Sequence, residues 1–227
     1  FTTDTSLLGP HFTNDYTPSE IGFKTLASNI SDIAAMGCKP IYAMYALTMP
    51  KISTTWIDQF FKGSNKLLKK YNISIIGGDT TRGPLSVTIQ LIGIQKNKIM
   101  LRSGAKVNDD IYITGTIGGA RAALLMNKRS FGYKYFEKNL KNPQPRVDVG
   151  LDLSKYANSC IDISDGIISD IKKISVSSKL KCHIDITKIP KSSAVLSALN
   201  KNASLHELIL NGGDDYELLF TINHMFF

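Results

Sequence analysis

Acidic residues gather in five short segments of a chain in which basic residues are otherwise more numerous. Lys and Arg total 27 against 19 Asp and Glu, which gives a formal net charge of +8 at pH 7. The segments are Thr2-Thr3-Asp4-Thr5, Asn29-Ile30-Ser31-Asp32, Gly77-Gly78-Asp79-Thr80-Thr81-Arg82-Gly83, Asp162-Ile163-Ser164-Asp165-Gly166 and Gly212-Gly213-Asp214-Asp215-Tyr216. Oxygen ligands from Asp, Ser and Thr suit Mg²⁺ rather than zinc. The sequence therefore predicts carboxylate sites for hard cations.

Asp32 is predicted to lie near the C-terminal end of a helix. The helix macrodipole disfavours a carboxylate there by roughly 0.3–1 kcal/mol. A nearby cation would explain the position, and a solvated surface carboxylate is the alternative that stays open.

Gly77, Gly78 and Asp79 directly follow a predicted strand at 73–76. Two residues without Cβ let a backbone approach a ligand, while the carboxylate would emerge at the carboxyl end of the strand. The pattern predicts a ligand-binding loop, with an ordinary turn as the alternative. It is not a Walker loop, because no Gly-Lys-Ser or Gly-Lys-Thr follows.

The segment 162–166 combines two kinds of position. Asp162 and Ser164 point to one face of a predicted strand end, because side chains alternate with a period of two. Asp165 is placed to cap the following helix, but a helix cap explains only that one residue. A bound metal would also offset the repulsion that raises the pKa of clustered carboxylates.

Three basic or polar residues lie near these segments. Guanidinium groups match phosphate oxygens, so Arg82 and Arg102 are candidates to bind phosphate, with surface ion pairs as the alternative. His11 is a candidate ligand-facing residue, with a polar loop residue as the alternative.

The elements that must position these residues alternate along the chain. Thr17, Pro18 and Glu20 form a capping box that predicts a helix start, and Gly37 followed by Pro40 predicts its end. Further strands are predicted at 41–48, 73–76, 85–94, 110–114, 159–163, 182–186 and 216–222, and further helices at 54–70, 119–126, 147–156 and 166–176. The fold class is therefore α/β, of the α+β type. A boundary near Lys106 predicts an N-terminal domain, 1–106, and a C-terminal domain, 107–227.

Composition excludes several classes of protein. With 43% hydrophobic and 20% charged residues, the chain is not a disordered one. The longest uncharged stretch, 83–95, is too short for a membrane helix. Few arginines and no basic stripe with aromatics argue against nucleic acid. Three cysteines without paired spacing make a reducing cytosol the simplest setting, which predicts a cytoplasmic protein. The chain carries no initiator Met, and we expect it to be truncated at its start and to lack its end.

Taken together, the motifs resemble those of bacterial thiamine-monophosphate kinases. The motifs are Thr-Thr-Asp-Thr, Asn-Ile-Ser-Asp-Ile-Ala-Ala-Met-Gly, Gly-Gly-Asp-Thr-Thr-Arg-Gly, Arg-Ser-Gly-Ala-Lys, Asp-Ile-Ser-Asp-Gly and Gly-Gly-Asp-Asp-Tyr-Glu-Leu, in that order from Thr2 to Leu218. Single motifs recur in aminoimidazole ribonucleotide synthetase, selenophosphate synthetase and the hydrogenase-maturation dehydratase. The combination favours the thiamine enzyme.

The resemblance implies a fold, an activity and a partner. The fold is a two-domain one like that of aminoimidazole ribonucleotide synthetase, with mixed sheets flanked by helices, and the protein is a homodimer through its N-terminal domains. The activity is direct transfer of the γ-phosphoryl group of ATP to thiamine phosphate, giving thiamine diphosphate in a biosynthetic pathway.

The resemblance also implies roles for single residues. Several Mg²⁺ ions would be held by Thr2, Thr3, Asp4, Asp32, Asp79, Asp162 and Asp165. ATP would be contacted by Gly78, Asp79, Arg102 and Ser164, and thiamine phosphate by His11 and Asp214. No residue is assigned as a general base; Arg102 would assist the transfer by adding positive charge.

The chain departs from the family pattern in three respects. The family has a metal-binding Gly-Asp-Asp segment before residue 1 and an aromatic substrate contact after residue 227, and it usually has Glu where this chain has Asp214. Two alternatives therefore stay open: an ATP-using relative with another acceptor, and a non-catalytic binding fragment.

Overall fold

A computed structural model describes residues 1–130, 132–199 and 204–226. The strands are β1 (Thr2–Leu7), β2 (Cys38–Met49), β3 (Ser74–Arg82), β4 (Ser86–Gln95), β5 (Asp109–Ile113), β6 (Ser159–Asp162) and β7 (Leu218–Asn223). The helices are α1 (Pro18–Ala35), α2 (Thr54–Tyr71), α3 (Gly119–Leu125), α4 (Tyr133–Lys141), α5 (Val147–Leu153), α6 (Ile167–Ser178) and α7 (Ser193–Leu199). Short helical turns follow at Ile186–Lys188, His206–Leu210 and His224–Phe226. The predicted α/β class is confirmed.

Helix α1 begins at the predicted capping box. The Thr17 side chain accepts a hydrogen bond from the Glu20 backbone N–H at 3.3 Å, and the Glu20 carboxylate accepts one from the Thr17 N–H at 2.7 Å. Gly37 ends the helix with a φ of 68°, in the left-handed region where glycine is favoured. The start and end expected from the sequence are confirmed.

Helices α1 and α2 approach each other backbone to backbone. A Cβ placed on Gly22 would lie 2.1 Å from the Phe60 carbonyl oxygen, and one placed on Gly63 would lie 1.8 Å from that of Ser19. A side chain of any size at either glycine would therefore push the two helices apart.

The first sheet has the strand order β1-β4-β2-β3, in which β2 and β3 run parallel and the other pairs are antiparallel. The predicted loop at Gly77 to Asp79 is wrong, because β3 continues through Arg82. Parallel pairing with Met44 to Met49 carries the strand onward. A Cβ on Gly78 would meet the Tyr45 carbonyl oxygen at 2.0 Å, so here the glycine admits a neighbouring strand rather than a ligand.

The second sheet has the antiparallel order β5-β7-β6. The predicted strand at 182–186 is wrong. Asp185 Oδ1 accepts hydrogen bonds from the Thr187 N–H at 3.0 Å and the Thr187 hydroxyl at 2.6 Å, and a 3₁₀ turn begins at Ile186. Such local side-chain bonds compete with a strand ladder.

Two hydrophobic clusters stabilise the fold. The first surrounds α1 and the first sheet and also includes Val147, Cys160 and Phe220 from later in the chain. The second contains the apolar faces of α3 and α6 and the residues around Leu208. The Lys106 boundary stays a prediction.

No helix within residues 1–130, 132–199 and 204–226 is both long enough and apolar enough to cross a membrane.

Candidate active site

Three aspartates from distant parts of the chain meet beside the first sheet. Asp4 lies on β1, Asp32 near the end of α1 and Asp162 at the end of β6. All three line the same two cavities. The Thr2 hydroxyl donates a short hydrogen bond to Asp32. The structure thus brings together Thr2, Asp4, Asp32 and Asp162, four of the residues that the resemblance assigns to Mg²⁺.

Burial and mutual repulsion disfavour the ionised forms of these carboxyls. Burial, and then the charge of Asp32, raise the pKa of Asp4 to about 6 and that of Asp162 to about 7. Burial also raises the pKa of Asp32, although Thr2, Arg102 and Lys173 oppose the rise. The cluster is therefore short of positive charge.

The carboxylates separate two cavities, which we name by the arginine that each contains. The Arg102 cavity is also lined by Thr2, Thr3, Met100 and Ser103. The Arg121 cavity, of about 430 Å³, is also lined by His11, Asp165, Gly213, Asp214 and Tyr216. Asp4, Asp32, Asp162 and Ser164 line both cavities and form the shared wall.

Asp214 is held in the Arg121 cavity by a buried lysine. Lys24, with only 7% of its surface exposed, places its Nζ 3.0 Å from Asp214 Oδ2 and 3.5 Å from the His11 carbonyl oxygen. The Tyr216 hydroxyl donates to Asp214 Oδ1 at 2.9 Å. Lys24 on α1 therefore ties together the two loops that carry His11 and Asp214.

A second buried lysine lies next to this contact. Lys141 Nζ bonds to Glu137 at 3.0 Å and to Glu20 at 3.5 Å. It also lies 4.8 Å from the centre of the Tyr16 ring, which Lys24 approaches at 5.7 Å. The electron-rich ring face attracts both ammonium groups. Sequence analysis missed both lysines, because their burial depends on contacts with residues distant in the chain, Asp214 for Lys24 and Glu20 for Lys141.

The sequence predicted that Asp165 caps helix α6, and this prediction is wrong. Gly166 occupies the capping position without a side-chain bond, and Asp170 accepts the backbone N–H groups of Ser164 and Asp165 at 3.0 and 3.1 Å. Asp165 instead bonds to Lys173 at 2.7 Å. The buried Asp170 thus fixes the loop that carries Ser164 and Asp165.

The motif Gly212 to Glu217 contains two acidic residues with structural contacts. Asp215 accepts the N–H groups of Gly118 at 2.8 Å and Ala120 at 3.4 Å, while burial raises its pKa to about 7. Glu217 forms a two-pronged ion pair with Arg146. Both contacts hold the loop before β7, and the sequence carried no signal for either.

Gly78 and Asp79 line neither cavity. They lie on β3, at the edge of the first sheet opposite to β1, and are exposed. Asp79 Oδ1 accepts only the N–H of its neighbour Thr80, at 2.8 Å, among the bonds of the described chain. The structure does not bring these two predicted residues to the carboxylate wall of the same chain.

Sequence comparisons cover almost the whole chain. The family description "AIR synthase related protein, N-terminal domain" matches residues 1–95. The thiamine-monophosphate kinase of Buchnera aphidicola subsp. Acyrthosiphon pisum is 41% identical over 228 residues, with 97% of this chain and 70% of that protein covered. The Escherichia coli K12 enzyme of the same name is 40% identical over 227 residues, with the same coverage.

Solved structures agree in fold. Thiamine-monophosphate kinase from Stenotrophomonas maltophilia has a TM-score of 0.92 and 37% identity, covering 99% of this chain and 74% of that one. A complex of AaThiL with AMPPCP and TMP has a TM-score of 0.93 and 27% identity, covering 100% of this chain and 75% of that one. The chain described here, with its shared carboxylate wall and two arginine-bearing cavities, belongs to the thiamine-monophosphate kinase family.

Proposed function

We propose that this chain transfers the γ-phosphoryl group of ATP to thiamine phosphate, giving thiamine diphosphate and ADP. The observation that carries the proposal is the shared wall of Asp4, Asp32 and Asp162 between two cavities, each with its own arginine. Two phosphate-bearing substrates entering from opposite sides would meet at that wall. Relatives of 40–41% identity bear the name of this activity.

ATP occupies the Arg102 cavity in this proposal. Arg102 lines it, and Ser164 lies on the wall where the γ-phosphate would end. A guanidinium group binds phosphate oxygens with two parallel hydrogen bonds, which fixes orientation as well as charge.

Thiamine phosphate occupies the Arg121 cavity. His11 and Asp214, which the sequence resemblance assigns to this substrate, both line it. Lys24 holds their two loops at a fixed separation, so the acceptor would be positioned by a preformed pocket.

The residues of the wall fit Mg²⁺. Their oxygens are hard ligands, and the raised pKa values of Asp4 and Asp162 mark ionised forms that lack a stabilising cation. Within the described ranges, no group of three or more His, Cys, Asp or Glu side chains could hold a metal ion. Each Mg²⁺ would therefore take one or two carboxylates of the wall and complete its shell with phosphates and water. We assign Thr2, Thr3, Asp4, Asp32, Asp162 and Asp165 to several such ions.

The reaction needs positioning more than proton transfer. The acceptor is already an anion, so no general base is assigned, and the transfer is direct, without a phosphoenzyme. Bound Mg²⁺ would supply positive charge for the phosphates. Arg102 orients the donor, and Lys24, through Asp214 and His11, keeps the acceptor in line.

A homodimer would explain why Gly78 and Asp79 lie away from the carboxylate wall of their own chain. The outer edge of β3 is exposed along its whole length, and an unpaired strand edge is a ready surface for another chain. We propose that the domains 1–106 of two copies associate, so that Gly78 and Asp79 of one copy complete the ATP and metal sites of the other. Mixing Asp32→Asn and Asp79→Asn variants, each inactive alone, should then restore activity. A mixture as inactive as its parts would contradict a shared site.

The test of the function is a product assay with ATP and Mg²⁺. Thiamine phosphate should yield thiamine diphosphate and ADP, whereas unphosphorylated thiamine should yield neither. Nucleotide binding, measured by calorimetry, should disappear when excess chelator is added. Binding without turnover would support the non-catalytic alternative, and turnover with a different acceptor would support the other one.

A further inference from the structure

Arg121 lies in the Arg121 cavity without a protein partner. It is half-buried on α3, and its Nε atom is fully enclosed. No hydrogen bond or ion pair to it occurs among residues 1–130, 132–199 and 204–226. Asp165 and Asp214 line the same cavity, yet each pairs with a lysine instead. The enclosed Nε has no partner, and the other guanidinium donors are left for a group that the protein does not supply.

The stem of Arg121 is held firmly although its head is unpaired. Asp215 accepts the N–H groups of Gly118 and Ala120 and so anchors the start of α3. A Cβ on Gly212 would lie 2.8 Å from Arg121 Cβ, so the loop that carries Asp214 packs directly on the arginine. The guanidinium is therefore presented at a fixed place.

The charges that line the Arg121 cavity indicate the chemical class of the missing partner of Arg121. The carboxylates that line it are Asp4, Asp32, Asp162, Asp165 and Asp214, and the permanent cation that lines it is Arg121. Mg²⁺ at the wall would offset part of this negative charge, and Arg121 is the protein's own cation that an anionic ligand in the cavity could contact. Leaving buried donors unmet is costly, which favours a ligand that satisfies several of them at once. A phosphate monoester does so with two oxygens.

We propose that Arg121 recognises the phosphate of the acceptor and so makes the pocket specific for a phosphorylated substrate. The proposal rests on the proposed function, because it places thiamine phosphate in the Arg121 cavity. The same phosphate chemistry is present in the γ-phosphate of ATP, and the test below separates the two sources.

The test compares Arg121→Ala and Arg121→Lys with Arg129→Ala, which alters an exposed arginine just beyond α3. Calorimetry would measure the binding of thiamine phosphate and of thiamine, and kinetics would give KM for ATP. We expect Arg121→Ala to lose about tenfold to a hundredfold of the preference for thiamine phosphate over thiamine, as loss of charged hydrogen bonds does. Arg121→Lys should recover part of that preference, because it keeps the charge but not the fork. Arg129→Ala should behave as wild type.

Two results would overturn the inference. One is an unchanged preference in Arg121→Ala and Arg121→Lys with wild-type melting temperatures. The other is a loss confined to ATP, which would assign Arg121 to the nucleotide. If Arg121→Ala does not fold, the lysine variant alone decides. Failure of the proposed function itself is distinct, because wild type would then bind no thiamine phosphate.

Discussion

The Arg102 and Arg121 cavities share a wall but are held by different forces. Around the Arg102 cavity, backbone bonds set the positions: β1 pairs with β4 along its length, and the Cys160 N–H donates to the Leu101 carbonyl at 3.0 Å. Around the Arg121 cavity, the loops bearing His11 and Asp214 also have backbone bonds, such as the one from the Asp214 N–H to the Ser164 carbonyl at 3.0 Å, but the ammonium of Lys24 links the two loops to each other. Side-chain substitutions should therefore loosen the second cavity more readily than the first.

The largest effect is expected at the wall common to both cavities. Asp32→Asn should lower kcat by about a hundredfold or more, since it removes charge stabilisation where the phosphates meet. The melting temperature should hold or rise, because burial already disfavours the ionised form and the amide can still accept from Thr2. Product formation and thermal unfolding measure both. The exposed Asp58→Asn on α2 is the control. A variant that unfolds, or that works at the wild-type rate, would contradict the placement.

Lys24→Met should perturb the Arg121 cavity and leave the Arg102 cavity unchanged. The Asp214 carboxylate and the His11 carbonyl lose their shared partner, and a lost hydrogen bond to a charged group costs about 1.5–3 kcal/mol. We expect KM for thiamine phosphate to rise about tenfold, KM for ATP to stay within about twofold, and the melting temperature to fall. Lys62→Met, at an exposed position of α2, should change none of these. Equal effects on both substrates would show that the cavities are not held independently.

The wall should also respond to pH. The pKa of Asp162 is about 7 in the folded protein, against about 4 for a free carboxyl. Between these values the folded protein binds more protons than the unfolded chain, so this group lowers stability as pH rises.

Without divalent cations, Asp162→Asn should gain in melting temperature over wild type by several degrees between pH 5 and pH 8. Mg²⁺ should stabilise wild type more at pH 8 than at pH 5. Thermal scans at both pH values test this, with Asp58→Asn as reference. A difference that shrinks with rising pH would contradict the assignment.

The smallest effect is expected from Asp214→Glu. The added methylene must displace the bonds to Lys24 and Tyr216, and Asp214 has a φ of 65°, a conformation that Asp tolerates better than most residues. We expect a several-fold change in KM for thiamine phosphate and almost none in KM for ATP. A change in ATP kinetics alone would move Asp214 to the nucleotide side.

Local signals predicted much of this molecule. The capping box at Thr17 and the stop at Gly37 gave the limits of α1, and hence the place of Asp32, because both depend on a few neighbouring residues. The glycines of β3 were misread, because a glycine that admits a ligand and one that admits a strand look alike in sequence. Their difference depends on Tyr45, more than thirty positions away.

The partners of buried charges could not be predicted. Lys24 and Asp214 are separated by 190 positions, and nothing in a run of scattered lysines marks one as buried. Arg121 carried no signal, because its distinguishing property is the absence of a partner, which only packing reveals. The motifs that carry Asp4, Asp32 and Asp162 were recognised in the sequence, and the cations Lys24 and Arg121 of the Arg121 cavity were not.

Helix α1 also constrains which insertions and deletions this chain can accept during evolution. It carries Lys24 at one cavity and Asp32 at the shared wall, and its close contact with α2 at Gly22 and Gly63 prevents it from sliding. One inserted or deleted residue between Lys24 and Asp32 would turn one relative to the other by about 100°. Substitutions between Lys24 and Asp32 can therefore be tolerated. Insertions and deletions there would not be, because α1 positions residues for both substrates.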